Sequence, residues 1–250
     1  MYIIMHGLIL PFLGTILGSA CVFFMRDKLN NKVNNALMGL AGGVMIAASI
    51  WSLIIPSINY SEHLNRLSFF PAAIGLFIGV LLFIFIDRFL EKIKTYNIGK
   101  SRLLFLAVSI HNLPEGMAIG VVVAGALRGD LDINSLTVLT LALGIGIQNF
   151  PEGAIISLPL RAEGINKGKS FLYGFYSAVV ELFGAIITLF FATIITPILP
   201  YFLSFAAGAM IYVVIEELVP GFTETKDSHI GTISFIIGFI IMMILDVTLG

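Results

Sequence analysis

A chain of 250 residues that is 58% hydrophobic and only 12% charged, with a mean hydropathy of +1.01, has too little polar surface to coat a soluble globule, so its solvent is lipid. Lys and Arg number 14 against 15 Asp and Glu, a balance without the basic excess of a nucleic-acid binder, and no nucleic-acid partner is expected. The single cysteine, Cys21, excludes a disulfide framework and any multi-thiolate metal site; a metal here must use nitrogen, oxygen or thioether ligands.

A membrane span needs about 20 mostly apolar residues. Such runs fall at 3–25, 35–57, 69–87, 103–127, 135–160, 170–196, 200–220 and 230–250, which predicts an all-α integral membrane protein of eight transmembrane helices forming one domain over 1–250. Met1 to Ile4 carries no positive n-region, so the first run reads as a span and not as a removable leader. Orientation follows from the basic residues. With the N-terminus outside, the cytoplasmic ends and loops hold Arg26, Lys28, Lys32, Arg88, Lys92, Lys94, Lys100, Arg102, Arg161, Lys167, Lys169 and Lys226, while the outside keeps Arg66 and Arg128. Twelve against two predicts N-out and C-out.

Along the spans, small residues recur four apart: Gly14 and Gly18, Gly39 and Gly43, Gly75 and Gly79, Gly116 and Gly120. This spacing lets membrane helices approach closely and is read as packing. Two segments also echo each other. Ile110-His111-Asn112-Leu113-Pro114-Glu115-Gly116 returns as Ile147-Gln148-Asn149-Phe150-Pro151-Glu152-Gly153, and Ala41 to Leu53 matches Ala206 to Leu218 at Ala41/Ala206, Gly43/Gly208, Met45/Met210, Ile46/Ile211, Ile50/Ile215 and Leu53/Leu218. Within each pair the two spans cross in opposite directions, as in the inverted repeats that enclose a midplane site in many transporters. A 3+2+3 arrangement follows, with spans one to three matching six to eight around a central pair.

The first echo carries the chemistry. His111 and Glu115 are four apart, hence on one helix face and about 6 Å apart along the axis, and Gln148 and Glu152 repeat that spacing. Each pair falls near mid-span, where an ionisable side chain is costly without a partner. Two facing carboxylates repel each other, and a bound divalent cation removes that conflict. Pro114 and Pro151 leave the carbonyls of Ile110 and Ile147 without their helical donor, predicting a kink in each span beside a polar cavity. Imidazole, carboxylate and amide oxygen suit zinc, iron(II), manganese, cobalt or cadmium better than copper(I).

The motifs HNLPEG and QNFPEG, set on spans four and five of eight with both ends outside, resemble the ZIP (Zrt/Irt-like) family of metal transporters over the whole chain. The resemblance implies a one- or two-metal site formed by His111, Asn112, Glu115, Gln148, Asn149 and Glu152, with the two Glu bridging. It further implies Met45 on span two and Glu181 on span six as ligands, Ser52 on the way in, and Glu216 and Glu217 on the way out. Zinc would be the bound substrate with no catalytic cofactor, the protein a homodimer in the inner or plasma membrane, and its lack of a His-rich loop between spans three and four argues against that mode of metal sensing. His6, Asp87 and Asp246 read as interfacial residues, His63 and His229 as loop residues, and Met210 as packing.

Transport into the cytoplasm by alternating access is therefore expected. A passive cation channel would use the same residues and differ in rate and saturability. A membrane-embedded metal hydrolase is disfavoured, because HxxxE and QxxxE are not the HExxH of a zinc protease, and the absence of a GxxxxGK[ST] loop argues against ATP hydrolysis.

Overall fold

The computed structural model describes residues 2–25, 30–94, 100–128, 135–191, 194, 198–223 and 228–249; the basic loop residues Arg26, Lys28 and Lys226 lie outside them. Among the described residues the chain is helical with no strand. In chain order the helices are α1 (Tyr2–Ala20), α2 (Asn31–Ala48), α3 (Ile55–Asn59), α4 (Phe69–Lys94), α5 (Lys100–Arg128), α6 (Ser135–Ala162), α7 (Lys167–Phe190), α8 (Leu199–Val213), α9 (Val219–Thr223) and α10 (Ser228–Leu249). Seven stretches are long and apolar enough to cross a membrane: His6–Phe23, Asn31–Asn59, Phe69–Phe89, Ser135–Ala162, Lys167–Phe190, Leu199–Thr223 and His229–Thr248. The fourth expected span coincides with α5, a helix of 29 residues whose described apolar stretch is Glu115–Leu127.

Local chemistry sets the helix ends. Asn30 caps α2 by accepting from the Lys32 amide at 2.9 Å, and Asn166 caps α7 by accepting from the Lys169 amide at 2.8 Å. Between α6 and α7 the chain reverses at Gly164, whose φ of +96° only glycine adopts without strain. There Ile165 N donates to Leu160 O and Gly164 N to Arg161 O, while Ile165 packs against the cluster of Ile156 and Leu160, which is a Schellman stop.

Two spans contain π-helical turns, Ser49–Ile54 between α2 and α3 and Val214–Leu218 between α8 and α9. Pro56 and Pro220 follow them. Each lacks the N–H that would bond the carbonyl four residues earlier, at Ser52 and at Glu216, so the ladder slips there to a wider register. Both turns begin at equivalent positions of the second echo, 165 residues apart.

The eight long helices pack as two groups of four. In one, α1 lies along α6 and α5 along α7; in the other, α2 lies along α10 and α4 along α8. Each of these four pairs is closed by one of the glycine pairs picked out in the sequence. A Cβ at Gly14 or Gly18 would strike the Gly146 or Phe150 carbonyl, at Gly39 or Gly43 those of Gly231 or Phe235, at Gly75 or Gly79 those of Tyr201 or Phe205, and at Gly116 or Gly120 those of Glu181 or Ala185. With no hydrophobic force between helices in lipid, such close backbone contact is what associates them. The groups meet chiefly where α2 runs beside α6, across an apolar cluster that includes Met45, Ile119, Ile145, Ile155 and Met210.

Candidate metal site

The two echo motifs lie within α5 and α6, and both helices continue unbroken through their prolines. Side by side in the first group, together with α7, they bury Asn112, Glu115, Gln148, Asn149, Glu152 and Glu181 to within 3% of complete burial. His111 is on α5, one residue before Asn112; its side chain lies outside the described residues.

The polar groups are linked in a definite way. Gln148 donates from Nε2 to Glu115 Oε1 at 2.6 Å, joining α6 to α5. Asn149 donates from Nδ2 to Glu181 Oε2 at 2.7 Å and to the Pro11 carbonyl at 3.2 Å, joining α6 to α7 and α1. Asn112 donates from Nδ2 to Ser177 Oγ at 3.0 Å and to the Ser177 carbonyl at 3.4 Å, joining α5 to α7. Glu115 lies within electrostatic range of Glu152 and Glu181, and Glu152 within range of Glu181.

The consequence is an imbalance. The amide nitrogens donate to protein acceptors, whereas Asn112 Oδ1, Glu115 Oε2, Gln148 Oε1, Asn149 Oδ1 and Glu181 Oε1 are buried and accept no hydrogen bond. Buried acceptors left in this state are costly. Beside Glu181 is a cavity of about 10 Å³, lined by Pro11, Phe12, Gly116 and Ile119 among others, enough for one water-sized species. Among the described residues no three His, Cys, Asp or Glu side chains stand together as a metal cage. The convergent set is instead one of carboxylates interleaved with amides, in which the Gln148 and Asn149 NH₂ groups occupy carboxylate oxygens that a cation would otherwise take.

The other expected residues are placed differently. Met45 is fully buried in the apolar cluster at the α2–α6 contact, the place of a core side chain. Ser52, in the first π turn, donates to Asp246 Oδ1 of α10 at 2.6 Å, and Asp246 Oδ2 is a buried oxygen that accepts nothing. Sequence reasoning read Asp246 as an interfacial charge. Its partner is 194 residues away, so no local pattern could have marked it. Glu216 is exposed and Glu217 half-buried in the second π turn, and nearby Tyr212 donates to Asp87 Oδ2 at 3.2 Å.

Comparison with known proteins places these features in a family context. A family model described as "ZIP Zinc transporter" matches residues 95–246. The chain is 31% identical to zinc transporter ZIP11 of Xenopus tropicalis over 94% of both chains. It is 34% identical to zinc transporter ZIPB of Bordetella bronchiseptica, over 96% of this chain and 79% of that one. With zinc transporter GufA of Myxococcus xanthus the identity is 31%, over 95% and 96% of the two chains.

Proposed function

This chain belongs to the ZIP family of zinc transporters, multi-pass membrane proteins that move divalent metal ions across the bilayer, and from that premise we propose that zinc passes through the carboxylate and amide cluster between α5, α6 and α7. One observation carries the assignment: the buried amides direct their donors at protein, and five acceptor oxygens are left facing no donor. A cation is what such a set lacks. Glu115, Glu152 and Glu181 supply charge, the oxygens of Asn112, Gln148 and Asn149 supply neutral ligands, and His111 adds imidazole nitrogen from the next position on α5. These ligand types suit zinc, with iron(II), manganese, cobalt and cadmium as plausible competitors.

In this reading a hydrated ion meets Ser52 and Asp246 first, exchanges water for the cluster's oxygens, and leaves past Glu216, Glu217 and Asp87. Ion binding reorganises the amides: Gln148 and Asn149 withdraw their NH₂ groups from Glu115 and Glu181 and turn their oxygens inward, a rotation the near-symmetric carboxamide makes without changing shape. Met45, seated in the apolar cluster, serves the path as a wall and becomes a ligand only if the two helix groups shift relative to each other. We read the groups as built by inverted repetition. Gly43 abuts the Phe235 carbonyl as Gly208 abuts that of Leu76, and Gly238 abuts that of Leu40 as Gly79 abuts that of Phe205. Alternating access toward the cytoplasm, by a homodimer with both termini outside, completes the proposal.

The test is uptake of Zn²⁺, Cd²⁺, Fe²⁺ and Mn²⁺ into proteoliposomes by wild type and by Glu115→Ala, Glu152→Ala and Glu181→Ala. Saturable wild-type flux that all three substitutions abolish, with folding intact, is expected. Flux that does not saturate would replace the carrier by a channel, and unchanged flux in the variants would remove the site.

A further inference from the structure

A cavity of about 650 Å³ opens between α4, α5 and α8. It is lined almost wholly by hydrocarbon, with the Tyr201 ring among its walls. A void of this size and composition does not hold water. It is continuous with the lipid-facing side of α4: Ile78 and Leu82 both line it and are 51% and 41% exposed, in step with exposed Phe77, Leu81 and Phe85 on the same helix. Its floor is Leu113 and Met117 of α5, half-buried behind that rim.

Dimensions restrict the occupant. From Gly75 to Ile86 the groove follows α4 for eleven residues, about 16 Å at 1.5 Å each. That is close to one leaflet's share of a hydrocarbon core about 30 Å thick. A second copy of this chain would present a helix about 10 to 12 Å across, able to cover the rim. A file of methylenes, with carbon contacts at about 4 Å, can lie on the floor. Tyr201, near the start of α8, stands at the Gly75 end of the groove and is an aromatic residue of the kind that settles at the headgroup level.

We propose that this groove binds an acyl chain of a membrane phospholipid, with the head group at the Tyr201 end. The site bridges the two helix groups, since α4 and α8 belong to one and α5 to the other. Leu113 lies between Asn112 and Glu115, and its carbonyl faces Gly184 of α7. A tail on the floor therefore presses on the helix that carries the motif, and tail length sets the rate of metal transport. That second half rests on the transport reading; the binding does not.

The experiment fills the groove from its rim with Ile78→Trp and Leu82→Trp, singly, beside Phe85→Trp on the open face of the same helix. Phospholipid retained by delipidated protein is counted by native mass spectrometry, and oligomeric state and thermal unfolding are recorded on the same samples. Wild type and Phe85→Trp should each retain at least one phospholipid per chain, and the two groove variants should lose it while unfolding at a similar temperature. Should a groove variant unfold early, Tyr201→Phe, which keeps the ring, serves instead: it should retain lipid less tightly. Equal retention by all proteins, or none by wild type, overturns the proposal. Conversion of a dimer to a monomer with the lipid count unchanged assigns the groove to a second copy and overturns it as well. For the rate, zinc uptake is compared in short-chain and long-chain phosphatidylcholine vesicles; wild type should differ between them severalfold and a groove variant much less. A lipid count that follows the groove in a protein that moves no metal would leave the binding standing and remove the transport site.

Discussion

Asn149 holds three elements together through one side chain: its own helix α6, the Pro11 carbonyl of α1 and the Glu181 carboxylate of α7. Replacing it with leucine takes that donor from both acceptors and leaves Glu181 Oε2 without its Asn149 hydrogen bond, so Asn149→Leu should cost about 1 to 3 kcal/mol in unfolding. It should also weaken zinc binding in calorimetry by roughly tenfold or more, as loss of an orienting partner does at metal sites. Asn149→Asp separates the two effects: it keeps the oxygen and removes the donor, so binding should survive better than stability. At the Ser52–Asp246 pair, Asp246→Asn should raise the half-saturating zinc concentration and leave the maximal rate nearly unchanged. An equal fall in both would place Asp246 in the central site. The central residues were legible in the sequence because each interrupts an apolar run with a group that lipid does not tolerate, twice over at the same spacing. Asp246 and its bond to Ser52 were not, because only the fold sets them side by side; Met45, a methionine in an apolar span, was readable as packing from its surroundings and as a ligand only through the resemblance.

Among helices, the four glycine pairs were fully readable as packing, yet which helix each would meet was not. Spacing along one helix specifies a flat face, and the partner is chosen by the complementary face elsewhere. Gly116 shows what such a face does for the site, since a Cβ there would meet the carbonyl of Glu181 itself. Gly116→Ala should therefore lose about 1 to 3 kcal/mol of stability through overpacking and transport zinc poorly, because α7 must move away from α5 with its carboxylate. A variant that loses stability and keeps full transport would show the crossing to be scaffold only. Asn166→Ala, far from the cluster, should cost about 1 kcal/mol through loss of the cap with uptake unchanged. The π turns escaped sequence reasoning for a different reason. Pro56 and Pro220 announce a break, but whether a helix answers by bending, stopping or widening depends on the neighbours that hold it.

Among the described residues, the two helix groups meet through an apolar cluster, while the network of Gln148, Asn149 and Asn112 lies within the first group. Motion of one group against the other would thus leave the metal ligands on α5, α6 and α7 in mutual register. The native thiol gives a direct check of the membrane orientation. Cys21, half-buried just beyond α1, should be closed to a membrane-impermeant maleimide in intact cells and react in inverted vesicles; the reverse would turn the molecule over. That outcome matters because the close crossings, such as Gly43 on the Phe235 carbonyl and Gly208 on that of Leu76, are contacts within the chain. Helix contacts inside one chain are the same whichever way up it is inserted. Orientation is then decided outside the packed interior, by how the fourteen Lys and Arg residues are distributed among helix ends and loops. A handful of lysines moved between loops should be able to invert a protein whose interior would scarcely register the change.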